Sequence, residues 1–194
     1  MIVYLHGFRS SPASRKARVL CDAVAALPAS TRPVLHVPEL TDGPAAAITA
    51  VLDLVRGVDA QALAFVGSSL GGFYATYLAE RLAARAVLVN PAVRPYDDLR
   101  PYVGVQVNLY TGVEFVVTER HFDELRALAV PRITHPDRFL LLAQTGDEVL
   151  DYREAVRFYA GAWQWLQGGG DHAFAGFETV LPPLFRFCGV VRRN

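Results

Sequence analysis

The chain has 194 residues, 52% of them hydrophobic and 20% charged, and its 19 basic and 19 acidic side chains cancel to a formal charge of zero. That size and apolar content suit one folded domain, expected to span residues 1–194, and argue against disorder. Zero net charge with scattered arginines excludes a nucleic-acid binder, which needs clustered cations to displace counterions from phosphates.

From the first residues onward, short apolar runs alternate with longer amphipathic ones, the rhythm of a parallel sheet with crossover helices. Ile2 to Leu5 is continuously apolar and reads as a strand buried on both faces. Ser14 to Leu27 reads as a helix, with Val19, Leu20, Val24 and Leu27 at helical spacing and Pro28 closing it. A strand over Val34 to Val37 is followed by a helix from Pro44 to Val55, whose first-turn proline is tolerated. Leu63 to Val66 is a third strand, and a glycine-rich turn leads into a helix over Leu70 to Leu82. Ala86 to Val89 is the fourth strand, closed by Asn90 and Pro91; Phe139 to Ala143 is the fifth. Tyr152 to Tyr159 is expected to be helical, Ala162 to Leu166 to be the sixth strand, and Phe174 to Phe187 to be a last helix, broken in pattern at Pro182 and Pro183.

Residues Ala92 to Pro136 interrupt this rhythm with Pro95, Pro101 and Pro131, a β-branched segment from Val113 to Thr118 and a helix expected from His121 to Leu128. An excursion of that length in a regular α/β chain is expected to cover a site. Cys21 and Cys188 have no CxxC spacing and are read as buried small hydrophobes. No apolar run reaches the roughly 18 residues of a membrane span, and no basic segment leads into an apolar stretch at the start. A cytoplasmic protein without a membrane partner is expected. Lys16 is the single lysine beside 18 arginines, and with 27 alanines the bias is read as codon usage.

Gly67-Ser68-Ser69-Leu70-Gly71 is a GxSxG motif between a strand and a helix. The serine of such a motif occupies a tight strand-to-helix turn, and the glycines let neighbouring backbone approach. Six serines and 15 glycines in 194 residues give roughly 0.04 chance matches even before that context is required. Ser69 alone fits the nucleophile position. A serine hydroxyl is weakly nucleophilic, so a general base and a group that orients it are required. His172, in the loop Gly168-Gly169-Gly170-Asp171-His172 after the last strand, is the candidate base. His36, His121 and His135 do not follow the final strand. Asp147 stands just beyond a strand's carboxyl end, where catalytic groups of parallel sheets gather, with Glu148, Asp151 and Asp171 as rivals. The chain order Ser, Asp, His is that of an α/β-hydrolase. The amides of Leu70 and Phe8 are the expected oxyanion donors, with His6 orienting the loop that carries Phe8.

LHGFRSSP at 5–12, GSSLGGFYAT at 67–76, VNPAVRPYDDL at 89–99, YTG at 110–112, TGDEVLDYREA at 145–155 and GGGDHAF at 168–174 resemble the small bacterial YqiA-like esterases across nearly the whole chain. The resemblance implies a minimal α/β-hydrolase without a separate lid domain, built on about six mostly parallel strands sandwiched by helices. It implies esterase activity on short acyl esters, with acyl-CoA thioesters as a second class, and carries nucleophile, acid and base onto Ser69, Asp147 and His172. Leu109, where the family commonly has proline, and Asp171, where asparagine is expected, are departures that bear on substrate preference. Because the chain enters its first strand directly, the two leading strands of larger α/β-hydrolases are expected to be missing.

The expected chemistry is attack by Ser69 on an ester or thioester carbonyl, with no metal or organic cofactor, since neither HExxH nor a dinucleotide glycine fingerprint occurs; the alternative is a hydrolase-like binding module whose triad is idle. Phe73, Tyr74, Tyr96, Tyr102 and Tyr110 are candidates to line the acyl pocket. Arg9, Arg94 and Arg100 are candidates to pair with the phosphates of coenzyme A. Activity is expected to rise with pH as the base loses its proton, near the ordinary histidine value of about 6.5 as shifted by its carboxylate partner.

Overall fold

A computed structural model describes residues 1–40 and 43–190; the domain expected over 1–194 also takes in residues 41–42 and 191–194, which lie outside the described residues. Six parallel strands form the main sheet: β1 (Ile2–Leu5), β2 (Leu35–His36), β3 (Ala64–Ser68), β4 (Arg85–Val89), β7 (Phe139–Gln144) and β8 (Trp163–Gln167). Their spatial order is β2-β1-β3-β4-β7-β8. Between β4 and β7 the chain makes a separate antiparallel hairpin, β5 (Gly104–Val107) and β6 (Glu114–Val117). The helices are α1 (Arg15–Ala25), α2 (Pro44–Leu54), α3 (Leu70–Leu82), α4 (Pro95–Asp98), α5 (Glu119–Ala127), α6 (Tyr152–Phe158) and α7 (Leu181–Phe187). Among the described residues no helix is long and apolar enough to cross a membrane.

The continuous apolar strands are explained by two cores, one on each face of the sheet. Successive side chains of a strand alternate between faces. Val3, Leu5, Phe65, Leu88 and Leu141 therefore face one core with residues of α2, α3 and α5, and Ile2, Tyr4, Val66, Val87 and Leu142 face the other with residues of α1 and α7. Each fully buried aliphatic or aromatic side chain contributes about 1.5–3 kcal/mol relative to an exposed one.

The order of the strands positions the site. From β1 the chain crosses to β2 on one side and then returns to place β3 on β1's other side. The carboxyl ends of β1 and β3 thus flank the point where the connections diverge, which is where ligands bind in open α/β sheets.

The structure departs from the expected elements at four places. The last helix is shorter than Phe174 to Phe187: a 3₁₀ turn covers Phe177–Val180, and α7 begins at Leu181. Pro182 and Pro183 therefore sit in its first turn, where a missing N–H leaves no intrahelical bond unmade. The β-branched segment is half of a hairpin whose other strand, β5, has no comparable apolar run. Cys21 is exposed, because α1 buries Ala17, Leu20 and Val24 and the position after Leu20 turns outward. Cys188 is half-buried, and burial pushes its thiol up to about 12.

Candidate active site

Ser69 follows β3 as the N-cap of α3, with φ 55° and ψ −121°, a left-handed backbone that a non-glycine residue adopts only under constraint. The constraint comes from its neighbours: Ser69 N–H donates to the Val89 carbonyl at 3.1 Å, and the Ser69 carbonyl accepts from Gly72 and Ala92 at 2.9 and 3.1 Å. The flanking glycines are required by close approach. A Cβ on Gly67 would stand 2.1 Å from the Gly71 carbonyl oxygen, and one on Gly71 would stand 2.0 Å from the Leu5 carbonyl oxygen. Gly71→Ala is expected to cost about 3 kcal/mol or more of stability through this backbone clash, measured by urea unfolding.

The loop after β8 brings His172 onto this turn. Ser69 Oγ donates to His172 Nε2 at 3.0 Å, and His172 Nδ1 donates to both Asp147 oxygens at 3.0 and 2.9 Å. Asp147 has a side chain 2% exposed, whereas that of His172 is 22% exposed. Burial pushes the Asp147 carboxyl up, but the His172 hydrogen bond, the Leu150 and Val149 amides and the imidazole charge together hold it below the ordinary carboxylate value. The aspartate thus stays ionised and fixes the tautomer that leaves Nε2 free to accept the serine proton.

The three rivals of Asp147 have other partners. Glu148 accepts the His172 backbone N–H at 2.9 Å, Asp151 caps α6 by accepting from Arg153 N–H at 3.0 Å, and Asp171 accepts from Ala175 N–H at 3.1 Å. The remaining histidines are engaged elsewhere: His36 lies in the edge strand β2, His121 caps its own helix by accepting from Thr118 N–H at 3.0 Å, and His135 precedes a 3₁₀ turn.

Two buried amides that sequence reasoning missed hold the histidine loop. Asn90, at the end of β4, donates to the Asp171 and His172 carbonyls at 2.9 and 3.3 Å and accepts from Gln144 N–H at 2.9 Å. Gln144, at the end of β7, donates to Ala175 O at 2.7 Å and to Gln167 Oε1 at 2.8 Å, and accepts from Asp171 N–H at 3.0 Å. The available signal was a polar residue ending an otherwise apolar strand. An unmade bond inside such a network costs about 1–3 kcal/mol, so neither residue is a spacer.

Leu70 is the first residue of α3, where a helix leaves its N–H without an intrahelical acceptor. Neither the Leu70 nor the Phe8 amide donates to another described backbone group. His6 is 3% exposed and its Nδ1 donates to the Gly7 carbonyl at 3.1 Å, within the loop that carries Phe8. Burial lowers the His6 pKa against the opposing influence of that carbonyl and of Glu39.

Beside these amides lies a cavity of about 490 Å³, walled by Phe8, Leu70, Tyr74, Phe115, Phe122 and Leu125 among others. It abuts the serine through Gly7, at which a Cβ would stand 3.2 Å from Ser69 Cβ. The hairpin is bonded to the loop after β1: Leu109 N–H donates to Arg9 O at 2.9 Å, Arg9 Nε to Val107 O at 3.0 Å, and Asn108 Nδ2 to Ser10 O at 2.8 Å. The excursion is therefore tied to Arg9 and Ser10, the two residues that follow Phe8.

Of the aromatic candidates for the pocket, Tyr74 lies in the cavity wall. Phe73, one position earlier in α3, turns into the core beside Thr76 and Tyr159. Tyr96 packs against the same core under Arg126, Tyr102 supports Phe8 edge-on with ring centroids 5.4 Å apart, and Tyr110 is 48% exposed near the hairpin tip. Helical and loop positions of these residues aim them away; Phe115, Phe122 and Leu125 take the places expected for them. Among the described residues no group of three or more His, Cys, Asp or Glu is arranged to hold a metal ion.

Residues 1–189 match the model of an uncharacterised protein family, UPF0227. The chain belongs to this family. Its fold recurs in solved structures of low sequence identity. A protein of Agrobacterium vitis S4 assigned as a hydrolase is 20% identical, with a TM-score of 0.75 over 96% of this chain and 87% of that one. Mouse alpha/beta hydrolase domain-containing protein 10 is 15% identical, with a TM-score of 0.71 over 97% and 89%. Est1E from Butyrivibrio proteoclasticus is 16% identical, with a TM-score of 0.67 over 96% and 85%. The UPF0227 chain has the α/β-hydrolase fold, and its structural neighbours include hydrolases and esterases.

Proposed function

We propose that this protein is a serine hydrolase that cleaves small carboxylic esters through an acyl-enzyme. The observation that carries the reading is the unbroken relay from Asp147 through His172 to Ser69, with 2.9 and 3.0 Å links, built at a strained turn beside an apolar cavity. Ser69 Oγ attacks the ester carbonyl while its proton passes to His172 Nε2. The tetrahedral oxyanion accepts hydrogen bonds from the Leu70 and Phe8 amides, each donor being worth about 3–4 kcal/mol in such sites. His172 returns the proton to the departing alkoxide, and the acyl group stays on Ser69. Water, deprotonated by the same imidazole, then releases the carboxylic acid and restores the hydroxyl. The apolar part of the substrate occupies the cavity under the hairpin.

Thioesters of coenzyme A are the weaker substrate class. Of the arginines expected to meet its phosphates, Arg94 pairs with Glu154 at 2.9 Å and Arg100 with Glu119 at 3.8 Å, while Arg9 Nε is committed to Val107 O. The cavity lining also includes Glu39 and Glu114, which repel a polyanion.

Turnover of p-nitrophenyl butyrate, with a covalent fluorophosphonate adduct located on Ser69 by mass spectrometry, tests the reading. Absence of both overturns it. For the cavity, Phe115→Ala is expected to raise KM for p-nitrophenyl octanoate about tenfold while changing that for the acetate less than twofold, since removing an apolar wall costs about 1–2 kcal/mol of uniform binding.

A further inference from the structure

Lys16 reaches the site from outside it. It belongs to the first turn of α1, and its half-buried side chain crosses to the histidine loop, where Nζ donates to the Ala173 carbonyl at 2.8 Å. The bonded carbonyl is one residue beyond His172. The other side-chain anchors that bond this loop from outside it, Asn90, Gln144, Thr145, Asp147 and Glu148, come from the ends of the sheet strands or from the loop after β7. Lys16 thus adds an anchor to the loop from the helical layer.

The charges around it are specific. Asp171 and Asp147 favour the ammonium form and Arg15 opposes it, while burial, the largest influence, brings its pKa down to about 8. The chain uses arginine at every other basic position. An arginine stays charged at all accessible pH, whereas an ammonium in a half-buried setting can lose its proton.

We propose that Lys16 is a positioning residue of the active site, its ammonium clamping the Ala173 carbonyl and so holding His172 between Asp147 and Ser69. This assignment of a catalytic consequence rests on the hydrolase reading. The charge-assisted bond is about twice as strong as a neutral one. Deprotonation of Lys16 therefore loosens the loop and removes a cation near Asp147 without touching the substrate.

The test is kinetic and spectroscopic. In Lys16→Met, kcat for p-nitrophenyl butyrate is expected to fall on the order of tenfold with KM within twofold, because small misplacement of a catalytic group costs turnover more than binding. The native enzyme is expected to lose kcat above pH about 8, the value at which the clamp discharges. Lys16→Arg is expected to restore most of the turnover and to lack that alkaline decline. Unchanged kcat in the methionine variant, or an alkaline decline that persists in the arginine variant, overturns the proposal.

A second readout is independent of ester turnover. With one lysine in the chain, selective ¹³C-lysine labelling gives one Cε signal, expected to titrate near 8 in the native protein and lower still in Asp147→Asn. A midpoint at the free-lysine value of about 10.4, or one that ignores the Asp147 charge, also overturns the proposal. If the signal behaves as expected but the native protein neither turns over ester nor takes the fluorophosphonate, the hydrolase reading fails and the clamp on the loop stands.

Discussion

Ser69→Ala is expected to lower kcat for p-nitrophenyl butyrate on the order of 10⁶-fold, the loss seen when a triad nucleophile is removed. The substitution deletes the oxygen that forms the acyl bond and leaves the oxyanion amides and the cavity in place. Substrate binding should therefore survive, visible as similar dissociation constants of the native protein and the variant for an ether analogue of the ester, which has no carbonyl for the serine to attack. Stability should change little. Alanine must adopt the same φ of 55° as the serine it replaces, and the surrounding carbonyl and amide bonds that impose it involve backbone alone. A variant that retains turnover within tenfold would mean that a different group attacks the ester.

Asp147→Asn is expected to cost about 10⁴-fold in kcat, because a neutral amide neither fixes the required imidazole tautomer nor stabilises the imidazolium. It carries a second, independent signature in stability. The hydrogen bond from His172 and the Leu150 and Val149 amides hold the native carboxyl below its ordinary value, in spite of the upward push of burial. A carboxyl depressed by folding stabilises the native state above its unfolded pKa, about 3.9, and that contribution disappears as the pH falls through the native value. Between pH about 5 and 2 the native protein should thus lose stability more steeply than the asparagine variant. Urea midpoints measured across that range, with parallel pH dependences for the two proteins, would remove Asp147 from the ionised role.

The centre of the sheet was legible because its strands are buried on both faces. Phe65, Val66, Val87 and Leu88 leave little choice other than a central strand when water is excluded from both sides. Edge elements carried less information: β2 is reduced to Leu35–His36, and β5, exposed at Val105 and Val107, has no apolar run to announce it. The pocket was less legible for a related reason. An aromatic residue in α3 or in the excursion is equally consistent with core and with a cavity wall, and Tyr74 is separated from Phe73 only once it is known which side of α3 the hairpin covers.

By itself the sequence determined the alternation of strands and helices, the GxSxG turn and the order of Ser69, Asp147 and His172, because each is written in local spacing and in residues with few alternative uses. Contacts across the chain decided the rest. Asn90 and Gln144 became supports of the histidine loop only when parallel pairing set β4 beside β7, since a polar strand end has no partner until its neighbour is known. Lys16 meets Ala173 across 157 positions, a distance in sequence over which no periodicity or motif carries information. The hairpin that walls the cavity acquires its place through bonds to Arg9 and Ser10, so the shape of the pocket, unlike the chemistry beside it, belongs to the tertiary structure alone.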